Sequence, residues 1–265
     1  MVKRFMQQSG GIDWYCELRG DGPHVVLIPS GEGDCGSFAK TAGLLAGQFT
    51  VLTFDTPGFS RTSPPPDPAD ISVPALGPQV AGLVRSLGIE RATFYGCSSG
   101  GVAVLDLLAG HAGIVRNGIV HEPAVVDESW PDEFASLEAL VQLDDASIVG
   151  VARDLFANTM NEDTAAWEAL GADYHKRLDT NYVTWVRNYF GPPAKMPRDP
   201  AKFMTRPITW TLGALTPMAF TYGSLKTCEQ GGINWSLLPG KHFPQVSIPE
   251  VLADHIAKAT RPHLS

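Results

Sequence analysis

The pentapeptide Gly96-Cys97-Ser98-Ser99-Gly100 constrains this chain more than any other stretch, because of what flanks it. The apolar run Ala92-Thr93-Phe94-Tyr95 comes before it, and the helix-like residues 101–108 follow. The order is strand, sharp turn, helix, with a serine at the apex. Glycines at both ends leave room for a turn that a side chain would block, and the hydroxyl is held out at a helix N-terminus. Ser98 is therefore the candidate nucleophile. A chain with 27 glycines can carry G-x-S-x-G by chance, so the strand and helix around it are what give the motif meaning.

The rest of the chain supplies a sheet for such a turn. Residues 12–18 read as a strand, Gly20-Asp21-Gly22-Pro23 as a turn, and His24-Val25-Val26-Leu27-Ile28-Pro29 as a buried strand. A loop at Gly31-Glu32-Gly33, a helix over 37–46, a strand over 51–54 and a proline-rich loop to Pro68 follow. Val80, Leu83, Val84 and Leu87 predict a helix over 78–87. Buried strands alternating with helices define an α/β fold class: a mostly parallel central sheet with helices on both faces.

After a strand at 117–122 the alternation stops. Residues 126–206 read as helical, with Leu137, Leu140, Val141, Ile148, Val151, Leu155 and Phe156 at helical spacing, then helices over 165–178 and 182–189. The strand pattern resumes at 207–213. An insert between two strands of a parallel sheet sits at the carboxyl edge, where ligands bind. It is expected to be a helical cap domain (126–206) over a core domain formed by 1–125 and 207–265. The insert holds Trp130, Trp167 and Trp185 with Tyr182, Tyr189 and Phe190; aromatics of this kind also serve simply to hold such a layer together.

Charge and cysteine usage exclude several partners. Lys plus Arg number 20 against 28 Asp plus Glu, a formal net charge of −8, and no basic block could neutralise a row of phosphates, so no nucleic-acid partner is expected. The N-terminal residues lack the apolar stretch of a secretion signal, and no apolar run of about 18 residues occurs, so no membrane partner and a cytoplasmic location are expected. Cys16, Cys35, Cys97 and Cys228 form no C-x-x-C pair; they read as reduced thiols, with no metal site.

A serine hydroxyl needs a base, and the base needs an acid to hold its tautomer. Of seven histidines, His242 lies in a turn-rich loop after the apolar run 233–238 and before a helix at 249–259, which brings it out on the elbow's edge of the sheet. His24 opens a strand at the opposite edge, and His255 and His263 read as solvated. The strand after the insert ends in Gly213-Ala214-Leu215-Thr216-Pro217, with no carboxylate before Glu229. The strand before the insert ends in His121-Glu122-Pro123, so elimination selects Glu122, with Asp127 as the nearest substitute. An oxyanion hole takes two backbone N–H groups, from the residue after the nucleophile, Ser99, and from an early loop, here Gly31.

Together the elbow, His121-Glu122, Asn181-Tyr182 with Trp185-Val186-Arg187, the run Trp210–Pro217 and the run Leu237–Pro244 resemble the α/β-hydrolase superfamily and, within it, the fungal zearalenone lactonase (zearalenone hydrolase) family. The likeness runs from about Gly11 to His263. It implies a Ser98-His242-Glu122 triad, no cofactor, a small-molecule lactone substrate, a homodimer, and a ring-opened acid that then loses carbon dioxide. It also implies that the cap tryptophan, Trp185, touches the ligand, and Tyr189 is expected beside it. The chain departs from the family at Ser30, where an acidic residue would be expected, at Thr159, where an aliphatic one would, and in the segment after Glu122; Ser30 and Thr159 are thus expected to bear on ligand preference. An esterase for another substrate, or a weakly hydrolytic receptor on the same fold, would share the triad.

Overall fold

The computed structural model describes residues 1–125, 139–189 and 199–264. Eight strands form one sheet in the order β1-β2-β4-β3-β5-β6-β7-β8: β1 (Val2–Ser9), β2 (Ile12–Arg19), β3 (His24–Ile28), β4 (Thr50–Phe54), β5 (Ala92–Cys97), β6 (Val115–His121), β7 (Ile208–Gly213) and β8 (Trp235–Leu238). The β1–β2 and β2–β4 pairs are antiparallel, and β4-β3-β5-β6-β7-β8 run parallel. The central strands are buried along almost their whole length, which is why they read as apolar runs rather than alternating ones. β1 was absent from the sequence reading because it is a polar edge strand, joined to β2 through Gly10 and Gly11, both at positive φ.

Helices cover both faces. In β6 the Asn117 side chain donates to the Ala259 carbonyl of the C-terminal helix α10 (Pro249–Thr260), 3.1 Å away. The next residue, Gly118, faces Val104 and Leu108 of the elbow helix α3 (Ser99–Gly110). Neighbouring residues of a strand point to opposite faces, so α3 and α10 lie on opposite sides. α2 (Val73–Ser86) packs on α3, and α1 (Ala39–Leu45) on α10. α2 starts more than a turn before the predicted position: Pro74 occupies its first turn, where the missing N–H is harmless, and Pro78 is carried inside.

Between β6 and β7 the described residues are helical: α4 (Asp145–Asp154), a π-helical turn (Leu155–Thr159), α5 (Thr164–Glu168), α6 (Ala172–Tyr189) and α7 (Pro200–Phe203). The two helices expected over 165–178 and 182–189 are differently divided. α6 runs unbroken through Asn181, and the break falls at Gly171, at φ +93°. Asn181 stays helical because its amide is used outside the helix: it donates to the Glu32 carbonyl at 2.6 Å and accepts from the Ser60 N–H at 2.8 Å. Asp127, Trp130, Leu137 and Phe190 lie outside the described residues. α8 (Tyr222–Gly231) and the short α9 (Pro244–Ser247) complete the chain. Among the described residues no helix is long and apolar enough to cross a membrane.

Candidate active site

The elbow is built by close backbone contact. A Cβ at Gly100 would meet the carbonyls of Pro29 and Ile28 at 2.5 and 2.6 Å, and one at Gly96 would collide with the Gly100 carbonyl. Both glycines are therefore obligatory for this turn. Ser98 sits between them at φ 54°, ψ −122°, a region that L-residues avoid. The strain is opposed by two bonds: its N–H donates to the His121 carbonyl at 3.1 Å, and its carbonyl accepts from the Ala124 N–H at 3.1 Å. Its hydroxyl makes no capping bond, leaving the positive end of α3 facing outward. The Gly100 contacts also bring the end of β3, and so the loop carrying Gly31, against the first turn that carries Ser99.

His242 and Glu122 are in direct contact, with Nδ1 2.6 Å from Oε2, both buried. Glu122 stands at positive φ too (42°), and its Oε1 accepts from the Gly213 N–H at 2.6 Å. Burial pushes the Glu122 carboxyl up; the hydrogen bond from His242, the neighbouring charges of His121 and His242, and the Gly213 amide outweigh it and bring it to about 2. An ionised carboxylate only accepts, so Nδ1 of His242 is the donor, and in the neutral ring Nε2 carries the lone pair.

The backbone of this loop is held as firmly as the ring. Cys97, beside Ser98, donates its thiol to the His242 carbonyl at 2.9 Å; burial raises that thiol well above its ordinary range, so it stays protonated and can donate. His121 is fully buried, its Nε2 3.2 Å from the Lys241 carbonyl and its Nδ1 2.9 Å from the Thr211 hydroxyl. Burial drives its pKa down to about 4 despite the neighbouring Glu122, so Nε2–H donates and Nδ1 accepts.

Over this arrangement lies the helical insert. Gly31 faces the Trp185 indole so closely that a Cβ there would overlap Nε1. Phe156, in the π-helical turn, stacks on Phe243 beside His242 (ring centroids 5.3 Å apart) and meets Trp185 edge-on at 4.9 Å. Thr159 closes the same turn and is partly exposed. Tyr189 is buried and packs on Phe59 at 5.4 Å; Ser30 is buried, its carbonyl accepting from the Gly33 N–H. The loop after Gly31 is tied down by Asp34, which accepts from Arg177 at 2.6 Å, Ser60 at 2.7 Å and Arg61 at 3.2 Å.

Several residues here carried no sequence signal for the contacts they make, although Asn181 and Gly213 fall in stretches that carry the family resemblance. Among them are Asn181, the Gly213 amide, Glu162, whose Oε2 accepts from the Lys241 N–H at 2.9 Å, and Glu32, fully buried with Ser37 donating to it at 3.0 Å. Burial holds the Glu32 carboxyl above its ordinary value. Each acts through a contact across 5 to 149 positions of sequence, and only Ser37 lies near its partner. His255, expected in solvent, is half-buried in α10, and its Nε2 is buried without a hydrogen-bond partner. Among the described residues no group of His, Cys, Asp and Glu could hold a metal ion, and all four cysteines are free thiols.

The model of the alpha/beta hydrolase fold family matches residues 23–216. Two curated relatives are similar over nearly the whole chain. A zearalenone hydrolase of Bionectria ochroleuca is 36% identical over 260 residues, 96% of each chain. One of Cladophialophora bantiana is 38% identical over 263 residues, 96% of this chain and 95% of that one. Among solved structures, the enol-lactonase of Burkholderia xenovorans superposes with a TM-score of 0.74 at 17% identity, covering 97% of this chain and 99% of the other. Sheet order, elbow and these likenesses agree: the chain belongs to the α/β-hydrolase family and groups there with the zearalenone hydrolases.

Proposed function

We propose that this protein is a serine hydrolase that opens the macrocyclic ester of zearalenone and related resorcylic acid lactones. The observation that carries the reading is the 2.6 Å contact of His242 Nδ1 with the ionised Glu122, which leaves Nε2 to take a proton, in a loop bonded to the elbow of Ser98. The two zearalenone hydrolase relatives supply the substrate class.

In this mechanism Ser98 Oγ attacks the lactone carbonyl while His242 Nε2 takes its proton and Glu122 supports the imidazolium. The negative oxygen lies between the N–H groups of Gly31 and Ser99, each contributing about 3 kcal/mol to the transition state. Collapse breaks the ring C–O bond, and His242 hands its proton to the departing alkoxide. Water, deprotonated by the same histidine, then attacks the acyl-enzyme and releases the hydroxy acid. Residues 126–206 act as a cap over a core of 1–125 and 207–265, with Trp185, Tyr189, Thr159 and Ser30 contributing to the ligand surface. An apolar, aromatic cap suits a large uncharged lactone. The reading includes a cytoplasmic homodimer, for which light scattering is the test of assembly.

Chromatography of zearalenone incubated with the wild type and with Ser98→Ala tests both reaction and nucleophile. Multiple turnover to the ring-opened product by the wild type alone is expected. Equal turnover by both overturns the mechanism, and a wild type that cleaves only simple esters moves the substrate to another ester.

A further inference from the structure

We propose that Glu162, a residue of the helical insert, is a positioning residue for His242. Its carboxylate and the His121 ring hold the Lys241 backbone at its N–H and at its carbonyl, so that the seating of the insert sets where the base stands. The inference rests on the reading of His242 as base.

The segment Gly240-Lys241-His242 is anchored at successive backbone groups. The Lys241 N–H donates to Glu162 Oε2 at 2.9 Å. The Lys241 carbonyl accepts from His121 Nε2 at 3.2 Å, and the His242 carbonyl from the Cys97 thiol at 2.9 Å. Cys97 belongs to β5 and His121 to β6, so two anchors come from the sheet. Glu162 is the anchor from the insert, between the π-helical turn and α5. Its other oxygen, Oε1, is buried against Gly240, where a Cβ would fall 2.6 Å away. The insert holds the Lys241 side chain as well: Nζ donates to the Asn158 carbonyl at 2.9 Å and to that of Asn161 at 3.4 Å.

A carboxylate accepting from a backbone N–H makes a short, charge-assisted bond, and here it ends one residue from the imidazole. The preceding residue is already held, the Gly240 N–H donating to the Leu238 carbonyl at 2.9 Å and its carbonyl accepting from the Leu215 N–H at 3.1 Å, so the bond to Glu162 fixes the next backbone group along. The same π-helical turn carries Phe156 onto Phe243, on the other side of His242. The insert thus grips the base loop at 241 and at 243. An insert seated over its ligand holds the imidazole at the register that Glu122 and Ser98 require; an unseated one releases Lys241 and lets the ring drift. Misplacement of a reacting group by about 1 Å lowers rates by about 10²-fold.

Glu162 is only half-buried, so its replacement is compatible with folding. The test uses the whole chain with two probes. One is a fluorophosphonate, which forms a P–O bond to Ser98 as fluoride leaves and the serine proton passes to His242. The other is p-nitrophenyl acetate, a small ester. Glu162→Ala is expected to slow phosphonylation and lower kcat for the small ester by about tenfold, with KM changed less than about twofold. Glu162→Gln keeps an acceptor oxygen and is expected to recover most of the rate. Gly240→Ala, which sets a methyl group against Oε1, is expected to slow both reactions from the loop side. Wild-type rates in Glu162→Ala or in Gly240→Ala, or a Glu162→Gln as slow as Glu162→Ala, would overturn the proposal. A wild type that the probe does not label overturns it together with the role of His242. One that is labelled but leaves zearalenone intact overturns the substrate alone and leaves the Glu162 comparison standing.

Discussion

Ser98 and Glu122 are two of three non-glycine residues at positive φ among the described residues; the third is Ser60. Backbone strain of this kind is about 1–3 kcal/mol per residue and persists where the surroundings over-determine it. At Ser98 the surroundings are two close-approach glycines, and at Glu122 they are the bonds to His242, Gly213 and, through its own N–H, the Thr211 carbonyl. Glu122→Gln keeps the shape but can present an amide N–H to Nδ1 in place of an acceptor, which favours the wrong tautomer. A fall of about 10³- to 10⁴-fold in kcat is expected, with melting temperature little changed. Near wild-type turnover in steady-state assays would move the acid to Asp127 or beyond. The elbow was legible because its requirement is local, a turn with no room for Cβ. The pairing of Glu122 with His242 was approachable by elimination, since the strand after the insert offers no carboxylate. The positive φ at Glu122 and the donating thiol of Cys97 were not legible, because both answer to contacts with distant residues.

At the scale of elements, the joint between α6 and the loop after β3 holds the backbone around Gly31, the oxyanion donor of the proposed mechanism. Asn181 donates to the Glu32 carbonyl, Arg177 binds Asp34, and Trp185 lies on Gly31, all from one helix. Asn181→Ala leaves the buried Glu32 carbonyl and the Ser60 N–H without that partner. A loss of about 2 kcal/mol in urea unfolding is expected, together with a lower kcat, because Gly31 then loses its fixed position. A variant of wild-type stability would remove Asn181 from this joint. The sequence reading ended one helix at 178 and began the next at 182, leaving Asn181, a weak helix former, in the gap. Tertiary bonds overrode that preference. The π-helical turn escaped for a similar reason: Leu155 and Phe156 sit at helical spacing, and nothing local shows that Met160 bonds back to Leu155.

For the whole molecule, acid is the condition that tests the buried polar centre. His121 titrates near 6.5 when unfolded and at about 4 when folded, so the unfolded chain binds the proton more readily. Its contribution to stability is complete above about pH 6.5 and is lost as pH falls to about 4, up to about 3 kcal/mol. Glu122, lowered from 4.5 to about 2, adds a second loss between those values. Urea midpoints followed from pH 7 to pH 4 should fall more steeply for the wild type than for His121→Gln. Parallel curves would show that His121 does not carry the dependence. His255, whose pKa burial also lowers, leaves a residual slope in both.

The sequence by itself determined the α/β class, the strand-turn-helix setting of the elbow and the helical nature of the described part of the insert, and it nominated Ser98, Glu122 and His242 as candidates. These rest on periodicity, on glycine sterics and on the rule that parallel strands present their loops at one edge, all of which act over short stretches or through chain order. Only the tertiary structure decided that β1 pairs at the edge, that α6 is continuous, that Cys97 and His121 hold the His242 loop from the sheet, and that Glu162 holds it from the insert. Those rest on hydrogen bonds between groups up to 149 positions apart. Such bonds leave no periodic trace in the chain, because their geometry exists only once the sheet and the insert have packed together.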